Sequence, residues 1–237
     1  MSEAKVAVVT GAGSGVGRAT AILLGQAGYA VALVGRRKEP LEETAGMIGR
    51  GGGAEAAVIS ADVSQPEPAQ RAIAQAQARF GRIDALANVA GYAQLGPIDA
   101  ITPPDWRQTI DTNLSSIVYL TTAVWPIFRR QHQGVVVNVS SMASLDPFPG
   151  FAMYASAKAA VNMFTRCSAR EGEPLGVKVV AVAPGAVETP MLRAVFDQKT
   201  IPPEKALAPE QVGAVIRDCI TGTRGFHSGE TIQLPSP

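Results

Sequence analysis

The chain has 237 residues, 46% of them hydrophobic and 17% charged, and its formal net charge is +1. That balance suits one large α/β domain with a substantial core and argues against disorder. A charge so close to zero sets up no field that would draw the chain to nucleic acid or to a membrane surface.

Val6-Ala7-Val8-Val9-Thr10 is a short apolar, β-branched run that stops at Gly11-Ala12-Gly13-Ser14-Gly15-Val16-Gly17. An amphipathic segment follows, Arg18 to Gly28, so the order is buried strand, tight glycine turn, helix. Glycines allow the backbone to approach a ligand where a side chain would clash. The helix start offers free N–H groups and the positive end of its dipole, which suit a pyrophosphate. The first strand-to-helix turn of an α/β chain is where dinucleotides bind.

The later strands read as Ala30–Val34, Ala54–Ser60, Ile83–Asn88, Val135–Val139, Val177–Val182 and a short Glu230–Leu234. Helices are expected over Leu41–Ile48, Glu67–Phe80, Tyr154–Glu171 and Pro209–Ile220, with a long one inside Asp105–Arg130, and Gly51-Gly52-Gly53 is a turn. Strand and helix alternate, and the strands are apolar on both faces. This predicts a single doubly wound (Rossmann) α/β domain over residues 1–237, a mainly parallel seven-stranded sheet with helices on both faces. Polar residues at the strand ends (Thr10, Arg36, Asp62, Asn88, Ser140-Ser141, Pro184-Gly185) then share one rim, the expected site.

Cys167 and Cys219 give neither a disulfide framework nor metal-ligand spacing, so both are expected to be buried, reduced thiols and no metal is expected. Met1-Ser2-Glu3-Ala4-Lys5 lacks a signal-peptide layout. The longest uncharged run, Thr112–Phe128, is broken by Asn113, Ser115, Ser116, Thr121 and Thr122 and is too polar to span a bilayer. The cytoplasm is the expected location.

Tyr154 and Lys158 stand four apart on a predicted helix, hence on one face. Ser141 lies thirteen positions before Tyr154, at the end of strand five. A phenol titrates near pH 10, and a neighbouring ammonium should draw that value toward neutrality; a fall of three units requires roughly 4 kcal/mol, which one lysine plus an oxidised nicotinamide ring would supply in a partly dry cleft. A tyrosine so tuned is a general acid or base.

Taken together, Thr10–Gly17, Asp62-Val63, Asn88-Val89-Ala90-Gly91, Asn113, Ser141, Tyr154–Lys158 and Pro184-Gly185 with Thr189 resemble the short-chain dehydrogenase/reductase family in its compact form. The resemblance spans nearly the whole chain. It implies hydride transfer between a nicotinamide and a small-molecule carbonyl or secondary alcohol, with Tyr154 as general acid or base. Ser141 would hold the substrate oxygen, Lys158 would tune Tyr154 and bind the ribose, and Asn113 would hold a water that links Lys158 to solvent. Gly11, Ser14, Gly15, Val16 and Gly17 would cradle the pyrophosphate and Asp62 and Val63 would contact the adenine. Asn88, Ala90 and Gly91 would brace the central sheet beside the cofactor. Pro184, Gly185, Val187 and Thr189 would line the carboxamide end. Thr189 also reads as a helix N-cap and Asp62 as a turn former.

The acid that would end strand two for NAD is replaced by Gly35, and Arg36-Arg37 follow. Two guanidinium groups suit a 2′-phosphate, so NADP(H) is favoured over NAD(H). The family's acidic-glycine-glycine segment after the last strand is replaced by Pro235-Ser236-Pro237. The substrate loop, about 190–208, is short, and Leu145, Pro147, Phe148, Phe151 and Met153 would make one wall of the site apolar. A 3-oxoacyl-thioester reductase is one version of this reading by analogy. A non-catalytic NAD(P)-binding sensor or scaffold of the same fold is the alternative. Family resemblance also implies a homo-oligomer, paired through the two long helices and the last strand.

Overall fold

The computed structural model describes residues 4–52 and 54–237, so Met1–Glu3 and the last glycine of the Gly51–Gly53 turn lie outside the described residues. Seven strands form one sheet in the order β3-β2-β1-β4-β5-β6-β7, and every neighbouring pair is parallel. They are β1 (Val6–Thr10), β2 (Ala30–Gly35), β3 (Ala56–Ser60), β4 (Ala85–Asn88), β5 (Gly134–Val139), β6 (Val177–Pro184) and β7 (Thr231–Leu234). Parallel neighbours need crossover helices, and those helices bury both faces. Val9, Leu33, Val137 and Val182 pack on one face with side chains of α1 (Gly15–Gln26), α2 (Lys38–Arg50) and α8 (Pro209–Thr221). Val8, Val34, Leu86 and Val136 pack on the other with side chains of α3 (Pro66–Phe80) and α5 (Ser116–Gln131).

The predicted strands are all present with ends shifted by a residue or two. The long helix expected within Asp105–Arg130 is α4 (Pro103–Ile110) and α5 joined by a π-helical turn, Asp111–Ser115. The helix that the Thr189 cap reading implies is α7 (Pro190–Val195), in the substrate loop. The expectation that both cysteines are buried is corrected. Cys219 is buried, whereas Cys167 is exposed. In α6 (Ala152–Gly172) the inward stripe is Val161, Thr165, Ser168 and Ala169, which leaves Cys167 on the outer face with Met163, Arg166 and Arg170.

The strand order reverses between β1 and β4, where crevices form in open α/β sheets. Thr10 ties that point together: its buried Oγ1 accepts hydrogen bonds from the N–H groups of Val89 (2.9 Å) and Ala90 (3.0 Å). One strand over, Asn88 Nδ2 donates to Asn138 Oδ1 (2.8 Å), and Asn138 Nδ2 donates to Thr165 Oγ1 (2.9 Å), a buried relay from sheet to α6.

Candidate functional site

A cavity of about 370 Å³ opens at this reversal, at the carboxyl ends of the strands. Its floor is the glycine turn. Gly11 and Gly15 have φ of +65° and +51°, a region that L side chains rarely adopt. A Cβ on Gly17 would run into the carbonyl oxygen of Gly11, so glycine there brings α1 against β1. Ser14 caps α1 without a side-chain hydrogen bond, and the first N–H groups of the helix face the cavity with no partner inside the helix. Arg18 holds the turn in place: its guanidinium donates to Gly13 O (2.6 Å) and Thr44 Oγ1 (3.2 Å) and pairs with Glu43.

Ser141, Tyr154 and Lys158 all line the same cavity. Tyr154 and Lys158 sit in the first turns of α6, and Ser141 follows β5. Lys158 is 3% exposed, its Nζ donates to Val139 O (2.8 Å), and it stands 5.6 Å from the Tyr154 ring centroid. Burial holds its pKa down to about 8. Burial also raises the Tyr154 phenol above its ordinary value, with a Ser141 hydrogen bond working in the opposite direction. Desolvation disfavours the charged form of both groups.

Asn113 is buried in the π turn, and its amide is fully engaged. Oδ1 accepts from Tyr92 N (3.1 Å), and Nδ2 donates to Tyr92 O (2.8 Å) and Thr109 O (2.9 Å). Its side chain thus anchors the segment after Gly91, and it is not among the residues that line the cavity. Ala90, Gly91, Pro184, Gly185, Val187 and Thr189 do line it. Thr189 Oγ1 accepts from Leu192 N (3.2 Å) as the N-cap of α7 and donates to Val187 O (3.1 Å).

Other expected contacts lie away from the cavity. Asp62 Oδ1 accepts from the N–H and hydroxyl of Ser64 (3.1 and 2.7 Å) in the turn before α3, and Val63 is buried in the core. Asn88 faces Asn138, although its Oδ1 is buried with no partner. Arg36 and Arg37 are exposed beyond β2, next to the turn that Ala12 N ties to Val34 O (3.3 Å), and no ion pair engages them among the described residues.

Two contributors, Phe196 and Ser236, escaped the sequence reading, whereas Thr10 was expected on the rim. Thr10 straps the reversal point. Phe196, at the end of α7, packs on Phe151. Ser236 lies beneath the Gly185–Val187 loop and its Oγ accepts from Ala186 N (2.7 Å). Among the described residues, no group of three or more His, Cys, Asp or Glu could hold a metal, and no helix is long and apolar enough to cross a membrane.

A glycine turn at the reversal of a parallel sheet, with a Ser-Tyr-Lys set facing it, defines the class of dinucleotide-dependent oxidoreductases. A family model described as short chain dehydrogenase matches residues 5–200, and the chain belongs to the short-chain dehydrogenase/reductase family, whose members bind NAD(P) and act on small molecules. The short-chain reductase protein NovJ of Streptomyces niveus is 35% identical, with 99% of this chain and 94% of that protein aligned. An uncharacterized oxidoreductase of Listeria monocytogenes is 32% identical over 90% of this chain and 88% of its own. Among solved structures, levodione reductase has a TM-score of 0.90 at 27% identity, covering 98% of this chain and 96% of that one. A 3-ketoacyl-(acyl-carrier-protein) reductase from Brucella melitensis, complexed with NADH, has the same score, identity and coverage.

Proposed function

We propose that this chain is an NADP(H)-preferring carbonyl reductase in which Tyr154 delivers the proton. The observation that carries the reading is the Tyr154 phenol, half-buried with Ser141 and the buried Lys158 ammonium on the wall of a cavity floored by the glycine turn. The turn fits a dinucleotide: its positive-φ glycines leave the space that a Cβ would fill, and the α1 N-terminus suits a pyrophosphate. A bound nicotinamide supplies or takes the hydride.

Ser141 holds the carbonyl oxygen beside the phenol, and Tyr154 gives that oxygen its proton during reduction. Tyr154 carries its proton at neutral pH, as an ordinary phenol does, and is able to give it to a carbonyl oxygen. Lys158 is placed to bind ribose hydroxyls. Its charge stabilises phenolate as the proton leaves. Asn113 acts as a positioning residue: its side chain fixes the Tyr92 segment. Arg36 and Arg37, exposed at the end of β2, are placed for a 2′-phosphate. The NADH seen with the Brucella protein belongs to that protein; Gly35 here supplies no carboxylate for a 2′-hydroxyl.

The chain acts on this reading as one nucleotide-binding unit, assembled as a homo-oligomer. Trp106 on α4 and Met163 on α6 leave apolar side chains exposed that a second copy would cover. The test is oxidation of NADPH against a panel of ketones. Tyr154→Phe should lower kcat by about 10²- to 10⁴-fold with NADPH binding retained. An unchanged kcat removes the mechanism.

A further inference from the structure

Four aromatic rings form one wall of the cavity, running from the proton donor to the solvent. Phe151 meets the Tyr154 ring edge-on at 5.1 Å between centroids. Phe148 lies 4.4 Å from Phe151, and Phe196 lies 5.9 Å from both, nearly parallel to Phe151 at 18°. Phe151 is buried, and Phe148 is 44% exposed. The wall joins two segments distant in sequence, the loop before α6 and the end of α7.

Past Phe148 the surface remains apolar. A second, open trough begins there, lined by Leu95, Pro97, Ile98 and Pro147 as well as Phe148. Ile98 is 78% exposed, an uncommon place for an isoleucine with nothing to cover it. The trough's two sides are tied by Gly96 N donating to Gly150 O (3.0 Å).

Charge is scarce along this path. The cavity is lined by one cation, Lys158, which sits beneath Tyr154, and one anion, Asp146, exposed at the rim. The α7 guanidinium, Arg193, is held by Glu188 and by Ile201 O (2.8 Å). A carboxylate or phosphate on this wall would lose water and meet no free cation from the lining. The ring faces offer a planar, uncharged group both burial and offset stacking.

Resting on the carbonyl-reductase reading, we infer that the substrate is an uncharged ketone whose ring system lies along the Phe148–Phe151–Phe196 wall and extends over Phe148 into the trough. Anionic keto acids and thioesters on phosphate-bearing carriers fit this lining poorly. The levodione reductase and ketoacyl-carrier reductase structures match the fold equally well, so the fold does not choose between these classes. The lining does.

The experiment measures kcat/KM with saturating NADPH for three ketones: 2-acetylnaphthalene, its 6-carboxylate, and acetoacetyl-coenzyme A. The neutral ketone should exceed both others on the order of 30-fold. With butanone added as a ring-free reference ketone, Phe196→Ala should cut the preference for 2-acetylnaphthalene over butanone about fivefold, chiefly through KM. Asp146→Asn should narrow the gap between the neutral and carboxylate ketones about threefold. Equal turnover of the carboxylate or thioester, abolished by Tyr154→Phe, overturns this inference alone. A preference that Phe196→Ala leaves unchanged overturns it as well. Turnover of none of the three, with Tyr154→Phe no different from wild type, overturns the reductase reading and the inference together.

Discussion

Lys158→Met separates the stability of this protein from its chemistry. The ammonium is 3% exposed, donates to Val139 O at 2.8 Å, and has its pKa lowered from 10.5 to about 8 by burial. Below pH 8 both the folded and the unfolded chain carry the proton, and the folded one bears a desolvation penalty of roughly 3 kcal/mol. Between about 8 and 10.5 the folded chain has released the proton while the unfolded chain still binds it, so the penalty fades as pH rises. Above 10.5 it is gone. Methionine keeps an unbranched side chain of similar length without charge. It leaves Val139 O unpaired, which costs about 1 kcal/mol. The variant should therefore be about 2 kcal/mol more stable than wild type at pH 7. For a chain of this length that is a Tm higher by roughly 4–8 °C. At pH 10.5 the advantage should vanish or reverse. Thermal melts of the cofactor-free protein at pH 7, 8.5 and 10.5, at constant ionic strength, measure this. Titration of Tyr154 is common to both proteins and largely cancels in the difference. A variant that melts below wild type at pH 7, or a difference that does not change with pH, refutes the reasoning.

Ser236→Ala leaves the N–H of Ala186 without its 2.7 Å acceptor under a loop that lines the cavity. KM for NADPH should rise about three- to tenfold with kcat little changed, and Ser236→Thr should restore it. Arg36→Asp should weaken NADPH binding by about tenfold or more and narrow its margin over NADH, read by calorimetric titration; an unchanged ratio removes the 2′-phosphate assignment. Carbonyl reduction should hold level through neutral pH, because the raised Tyr154 keeps its proton, and should fall on the alkaline side. A fall near pH 8 assigns the loss to Lys158 deprotonation, and Lys158→Arg should move it upward. A rate that climbs with pH contradicts a phenol donor.

The sheet was legible because its inner strands are runs of valine, leucine and alanine buried on both faces, most of them closed by glycine or polar residues. The π turn was not. Its extra residue leaves the polar-apolar pattern through Thr112–Asn113 close to that of a continuous helix. Six residues of α7 are too few to show a period, although Thr189-Pro190 carried a cap signal. The placement of Tyr154, Lys158 and Ser141 followed from spacing. Their protonation did not, since spacing reports distance and desolvation depends on everything packed around them. Ser236 lies fifty residues from the amide it serves, between two prolines, and local pattern gives no hint of the pairing. Asn113 was singled out to hold a water, whereas its side chain is committed to Tyr92 and Thr109.

The energetic position of Lys158 bears on whether this chain is an enzyme or a nucleotide-binding scaffold that kept the fold. A scaffold needs the glycine turn, the α1 N-terminus and the strap through Thr10. It does not need an ammonium buried at 3% exposure beside a protonated phenol. An uncharged side chain of the same length would fill the space and remove a penalty of roughly 3 kcal/mol, a large part of what separates a folded domain from its unfolded chain. Groups held against such a penalty cluster at sites of chemistry. The same desolvation that penalises charge on Lys158 raises the Tyr154 phenol. The strain in one group and the readiness of the other thus have a single cause: a desolvated cavity at the reversal of the sheet.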